Sequence, residues 1–401
     1  MTTQPKRSDS QRLPFQGPTL LRDIRFWKVA GQAITVVVVV VFLAILWHNL
    51  TTNMQQLGIQ LGFDFLNSQA SFDIGESFIS YSPADSFGRA MLVGLINTLW
   101  VTAIGIVLST IVGLVVGFAR LSSNWLVQQL AKVYVEAIRN TPLLLQLFFI
   151  YFVGFANFPK LDGKTQASGP IYFTNRGLAV PWLAATPGTG IWLILLAIGI
   201  LVAALLWRWR THLRLEQGVF GRQELWASGA IATLSAILAF IFTKTGPFSA
   251  NIPEVIQGKL EGGLQLTPEF ATLTIGLTLF SASFIAEIVR GGIQAVPKGQ
   301  WEAARALGLK PPIITQRVIL PQALRVIVPP LTSQYLNLAK NSSLAIAIGY
   351  PDIYFVSNTT FNQTGRAVEV MLILATSYLT ISLIVSLLMN LYNRTIQIKE
   401  R

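Results

Sequence analysis

Two pairs of opposite charge recur at one-turn spacing, Glu136 with Arg139 and Glu287 with Arg290. On a helix such neighbours share a face and can pair locally, so each is either an interfacial ion pair or part of a gate. A polar set, Ser283, Gln334, Asn337, Lys340, Asn341, Ser342 and Ser343, carries hydroxyl, amide and ammonium groups that either glue helices together or hold a substrate's charged ends. A third group is close in sequence: Glu302-Ala303-Ala304, then Gly308, then Val318-Ile319-Leu320-Pro321. None of this is the chemistry of a nucleophile or a metal centre. The chain has no cysteine and only two histidines, His48 and His212, which excludes disulfides and thiolate metal sites and leaves little for a histidine-based triad. Asp162-Gly163-Lys164-Thr165 ends like a phosphate loop, but Phe158 stands where that motif needs its first glycine. The expectation is recognition and coupling, with no catalytic residue, metal or cofactor in this chain.

What positions these residues is a bundle of membrane helices. Of the 401 residues 52% are hydrophobic and 12% charged, against about 25% charged in an ordinary soluble domain. Charge-free runs cover 29–47, 91–118, 143–158, 191–207, 225–243, 270–286 and 370–393, close to the roughly 20 residues that cross about 30 Å of hydrocarbon. Six consecutive valines from Val36 would favour a strand in water, but in lipid the backbone must satisfy its own hydrogen bonds, so a helix is expected. An eighth run, 326–348, is more polar and contains Pro329-Pro330, which should interrupt its helix. The fold class expected is an all-α integral membrane protein with about eight transmembrane helices.

The net charge of +12 then reports topology rather than nucleic-acid binding. Lys and Arg concentrate before Val29, at Arg120, Lys132 and Arg139, at 208–222, at 290–325 and at the C-terminus. The loop 49–88 holds Asp64, Asp73, Glu76 and Asp85 with no Lys or Arg. This asymmetry gives an N-in, C-in orientation. The chain divides into a cytoplasmic tail (1–28), an anchor helix (29–48), a core domain (88–393) and a short cytoplasmic tail (394–401). Within the core, 158–268 has two plain crossings and no polar cluster and reads as an insertion, whereas 290–325 is a cytoplasmic loop.

That loop has a definite shape. Residues 300–307 are good helix formers, Gly308 suits a left-handed stop, and Pro311-Pro312 forbids continuation, so two short helices form either a solvated connector or a projecting hairpin. The spacing Glu302-Ala303-Ala304, three residues, Gly308, nine residues, Val318-Ile319-Leu320-Pro321 resembles the EAA loop of importer permeases of the ATP-binding-cassette superfamily. The resemblance implies that Glu302, Ala303, Ala304, Gly308, Leu320 and Pro321 dock on an ATPase subunit and couple its closure to the membrane helices.

A second resemblance, to the polar and general L-amino-acid permeases of the same superfamily in their long form, rests on Glu136-Ala-Ile-Arg139-Asn-Thr-Pro142-Leu-Leu-Leu-Gln146 and on 340–353. It implies a type I importer fold with a five-helix core in the bacterial inner membrane. It further implies a second homologous permease as heterodimer partner, two ATP-binding subunits holding ATP and Mg, and an extracytoplasmic amino-acid-binding protein. No nucleic-acid partner is expected. Substrate would pass by alternating access near Ser283, Gln334, Asn337, Lys340, Asn341, Ser342 and Ser343. The alternative is an ion-coupled secondary amino-acid transporter, whose inverted repeat and intramembrane carboxylates are not evident, since Glu136, Glu287 and Glu369 lie near crossing ends.

Overall fold

A computed structural model describes residues 24–56, 62–160, 170–215, 233–235, 237–244, 246–256 and 259–396. The chain divides into two units, 1–63 and 64–401. The first contains α1 (Ile24–Gln56), a single long helix that is apolar and exposed from Trp27 to Asn53. The polyvaline run is therefore helical. Most of the tail before it, like the 162–165 sequence and residues 397–401, lies outside the described residues.

The second unit is organised around two parallel helices, α2 (Phe87–Ala119) and α6 (Pro268–Gln294). Each is started by a hydroxyl cap: Ser86 accepts from the Arg89 amide and Thr267 from the Phe270 amide. Small residues let the backbones approach. A Cβ built on Gly113 would stand 2.6 Å from the Ile285 side chain, and one on Gly117 2.9 Å from that of Val289. The same register sets Thr102 level with Thr274 and Ser109 level with Ser281, so the seam between the helices is small and polar, as membrane helix contacts are.

The crossing expected at 143–158 is the second arm of a bent pair. α3 (Trp125–Arg139) and the helical run Leu143–Asn157, which begins as α4 (Leu143–Phe148), meet at 104°. Pro142 cannot extend α3, and it disfavours helical geometry at Thr141. Gln146 compensates by donating to the Ile138 and Thr141 carbonyls, both at 2.9 Å.

The 158–268 segment corrects the all-α expectation. Seven short strands flank its helical part: β1 (Tyr172–Thr174), β2 (Gly177–Val180), β3 (Trp182–Ala185), then α5 (Thr189–Leu215), then β4 (Phe248–Asn251), β5 (Glu254–Ile256), β6 (Lys259–Glu261) and β7 (Leu264–Leu266). They pair antiparallel as a β1-β2-β7 sheet and two ribbons, β3-β4 and β5-β6. Strands of three or four residues are too short to leave a periodic signal in the sequence. Of the crossing expected at 225–243, residues 233–235 and 237–243 are described, and they are helical.

After α6 the chain forms α7 (Lys298–Ala306), a helical turn at Pro311–Ile313, a wide-turned segment Ile314–Ile319 and α8 (Leu320–Asn341). α8 does not break at Pro329-Pro330. Both prolines sit on its exposed face, and a membrane helix tolerates them where its freed backbone groups are met locally. A 3₁₀ segment, Ser342–Ile348, ends at Gly349; α9 (Ile353–Thr364) and α10 (Ala367–Ile396) follow. Among the described residues α1, α2, α6 and α10 are long and apolar enough to cross a membrane, and the bent pair makes a fifth if it acts as one span.

Candidate functional site

The 297–321 hairpin leaves the end of α6 and folds on itself. Ala304 is buried, with Val296, Ile314, Ile319, Ala323 and Ile327 in one cluster that reaches Ile285 and Val289 of α6. Its small side chain serves packing inside the hairpin. Glu302, Ala303 and Gly308 are exposed, and Leu307 is 78% exposed although apolar. Gly308 has φ +71° with nothing near a would-be Cβ, the left-handed geometry that ends a helix cheaply only with glycine. Leu320 and Pro321 are half-buried where the hairpin returns into α8.

A cavity of about 400 Å³ opens at the α3–α4 break, lined by Arg120, Val135, Glu136, Arg139, Asn140, Phe284 and Glu287. The two expected pairs behave differently there. Arg290 Nε donates to Glu287 Oε1 at 2.9 Å, and Arg120 Nη2 lies 3.3 Å from Glu287 Oε2. Glu136 instead faces Lys132, at 3.8 Å. Arg139 is left with its guanidinium 4.8 Å from the centre of the Phe284 ring, a cation over an aromatic face, and has no carboxylate within ion-pair reach among the described residues. Arg120 was read from the sequence only as a topology charge and Phe284 not at all; the parallel packing of α2 and α6 and the bend after Arg139 bring them to this cavity.

The polar set of α8 splits between two faces. Ser333, Asn337 and Lys340 are exposed along one stripe with Val326, Pro329 and Pro330, whereas Gln334 and Ser342 are buried. Ser283, Ser342 and Ser343 bond back to the Phe280, Ala339 and Lys340 carbonyls, and Asn341 is half-buried. The structure does not gather these seven residues into one site.

At the opposite end of α2 a second network joins the elements. Asn97, fully buried, donates to the Glu76 and Pro351 carbonyls at 2.8 and 2.9 Å, and Tyr350 donates to the Asn97 carbonyl. The Ile353 amide donates to the Thr98 hydroxyl. The Glu76 carboxylate accepts from the Thr267 hydroxyl. Burial raises its pKa; the Thr267 bond opposes this and nearby Glu269 adds to it. Asn97-Thr98 inside an otherwise apolar run was the available sequence signal.

The family model for the binding-protein-dependent transport system inner membrane component matches residues 105–398. The putative amino-acid ABC transporter permease protein YhdX of Escherichia coli K12 is 42% identical over 390 residues, 97% of this chain and 97% of its own length. The general L-amino acid transport system permease protein AapQ of Rhizobium johnstonii is 42% identical, covering 94% of each chain. The glutamate/glutamine/aspartate/asparagine transport system permease protein BztB of Rhodobacter capsulatus is 40% identical over 98% of this chain and 99% of its own. The chain belongs to the family of binding-protein-dependent transport system inner membrane components, as a permease subunit of an ABC importer that is not itself an enzyme.

Proposed function

We propose that this permease carries L-amino acids and holds them in the cavity at the α3–α4 break. The observation that carries the reading is Arg139, a guanidinium at that cavity that makes no ion-pair contact among the described residues and meets the Glu287 carboxylate only through the longer-range field across the cavity. A permanently charged fork suits a substrate carboxylate. The C-terminal end of α3 and the Glu136 carboxylate, whose contact with Lys132 is a loose 3.8 Å, offer negative potential for the substrate ammonium. A volume of about 400 Å³ lies within the range of small-molecule sites, roughly 300–1,000 Å³.

In this reading the chain crosses the membrane eight times with both termini in the cytoplasm, as its loop charges favour. Two ATPase subunits hold ATP and Mg; they receive Glu302, Ala303, Leu307 and Gly308 on the hairpin, with Leu320 and Pro321 at its return, while Ala304 keeps the hairpin rigid. A second permease covers the exposed stripe of Ser333, Asn337 and Lys340, because polar groups facing lipid from a membrane helix are costly. ATPase closure moves the hairpin and opens the core outward to an extracytoplasmic amino-acid-binding protein. Hydrolysis restores the inward state. The ion-coupled alternative finds no support among the relatives.

The test is uptake of labelled amino acids into proteoliposomes holding the assembled importer. Arg139→Gln should lower uptake at least tenfold with ATPase recruitment intact. Uptake at the normal rate in that variant removes Arg139 from the site, and uptake that persists without the ATPase removes the importer reading.

A further inference from the structure

α5 is apolar over Thr189–Leu205, about 26 Å at 1.5 Å per residue and so slightly short of a hydrocarbon core of about 30 Å. Its neighbour in the insertion is the helical segment 237–243, joined to it where Trp192 Nε1 donates to Thr243 Oγ1 at 3.1 Å. Both helices continue into the β3–β4 ribbon. At the junction the Thr186 hydroxyl donates to the Gly246 carbonyl and the Thr189 hydroxyl to the Pro247 carbonyl.

The ribbon carries no charge in either strand. Trp182 and Leu183 point to opposite faces, yet both are exposed, at 56% and 60%, and Phe248 is 45% exposed. A lone two-stranded ribbon is marginal in water, and its unpaired outer edges bar it from hydrocarbon. The lipid headgroup layer satisfies both conditions, because water reaches the strand edges there while aromatic rings find an amphipathic surround. Lys244 stands exposed at the same junction, with no ion pair among the described residues, at the depth where an ammonium meets lipid phosphate. Other charges resume only beyond the ribbon, with Arg176 on one side and Glu254, Lys259 and Glu261 on the other. α5 also exposes Ile191, Leu193, Ile194 and Ile198, beyond the polar Thr186–Thr189 junction that joins it to the ribbon.

We propose that the β3–β4 ribbon lies in the headgroup layer of one leaflet, with Trp182, Leu183 and Phe248 among lipid headgroups and Lys244 at a lipid phosphate, so that the insertion is held at the membrane surface.

The chain has no cysteine, so Leu183→Cys or Phe248→Cys gives this subunit a single spin-label site, with Ile256→Cys on β5 as the comparison and the importer carrying the cysteine-free parent chain, treated with the same label, as the background control. In the assembled importer in phospholipid nanodiscs, collision with oxygen is measured against collision with a water-soluble nickel chelate. The oxygen-to-nickel ratio at 183 and 248 should exceed that at 256 several-fold. Ratios at 183 and 248 as low as that of a free nitroxide in water would place the ribbon in water and overturn the proposal. Shielding of 183 and 248 from both reagents would show a protein cover and overturn it equally. Amino-acid uptake by each labelled variant reports that the importer remains folded.

Discussion

Arg120 on the C-terminal cap of α2 lies 3.3 Å from Glu287 on α6, which ties the two parallel helices together just before α6 runs into the hairpin. Glu287 also holds Arg290, one turn on. A single carboxylate therefore fixes the root of the hairpin to α2 and borders the cavity.

Replacing that carboxylate should uncouple rather than unfold. Glu287→Gln keeps the shape but leaves two guanidinium groups without their anion. Arg290 is 28% exposed but Arg120 only 14%, so some stability is lost with the Arg120 pair, and thermal melting of the variant reports how much. Uptake should fall at least tenfold while the importer still assembles. Basal ATPase activity measured with and without the binding protein should show the stimulation lost. Normal stimulation in this variant would argue that hairpin movement does not pass through α6 and α2.

Ala303 and Ala304 are neighbours in sequence and opposites in the fold. Ala304 is 3% exposed within the hairpin cluster, so Ala304→Leu should overpack it and destabilise the isolated permease by about 1–3 kcal/mol. Ala303 is exposed, so Ala303→Leu should leave the melting of the permease unchanged and weaken capture of the ATPase. Thermal melting of the permease alone, beside co-purification of the ATPase, separates the two effects. Equal behaviour of the two variants would contradict the division of labour between them.

The same residues show how much the sequence discloses. Gly308 was legible because a left-handed stop needs glycine and two prolines bar continuation; the structure has φ +71° there and a fresh start at Pro311. Ala303 and Ala304 were not separable, because both are small and only the fold says which is buried. Glu136 and Glu287 occupy identical local patterns, yet one faces Lys132 and the other Arg120 and Arg290. Local spacing shows which partners are within reach, but long-range packing chooses among them. Pro142 was part of a motif without being read as a bend, although the bend forms the cavity. Pro329-Pro330 was read as a break that the helix absorbs.

The α2–α6 seam makes a tighter prediction. A Cβ on Gly113 would meet Ile285 at 2.6 Å, and Ile285 is fully buried, so neither side can yield by a rotamer change alone. Gly113→Ala should cost about 1–3 kcal/mol, and adding Ile285→Ala should return part of it by making room. The pair read by thermal melting forms a double-mutant cycle. Additive losses would show that the two positions do not touch.

Glu76 lies in the loop ahead of α2, outside the membrane helices. Its carboxyl is raised above the ordinary 4.5 chiefly by burial, so the folded state holds the proton more tightly than the unfolded chain does. The stability this group contributes is fully present below pH 4.5 and is lost as pH rises through the folded value, leaving ionised Glu76 unfavourable at neutral pH. Gln in its place still meets the Thr267 hydroxyl and carries no charge. The backbone carbonyl that accepts from Asn97 is untouched. Glu76→Gln should therefore melt together with the parent protein near pH 4 and above it at pH 7, with the gap opening as pH rises from 4.5. A gap of the opposite sign at pH 7 would mean that the Thr267 bond to the ionised carboxylate outweighs its burial, and that Glu76 stabilises this end of α6 as an anion.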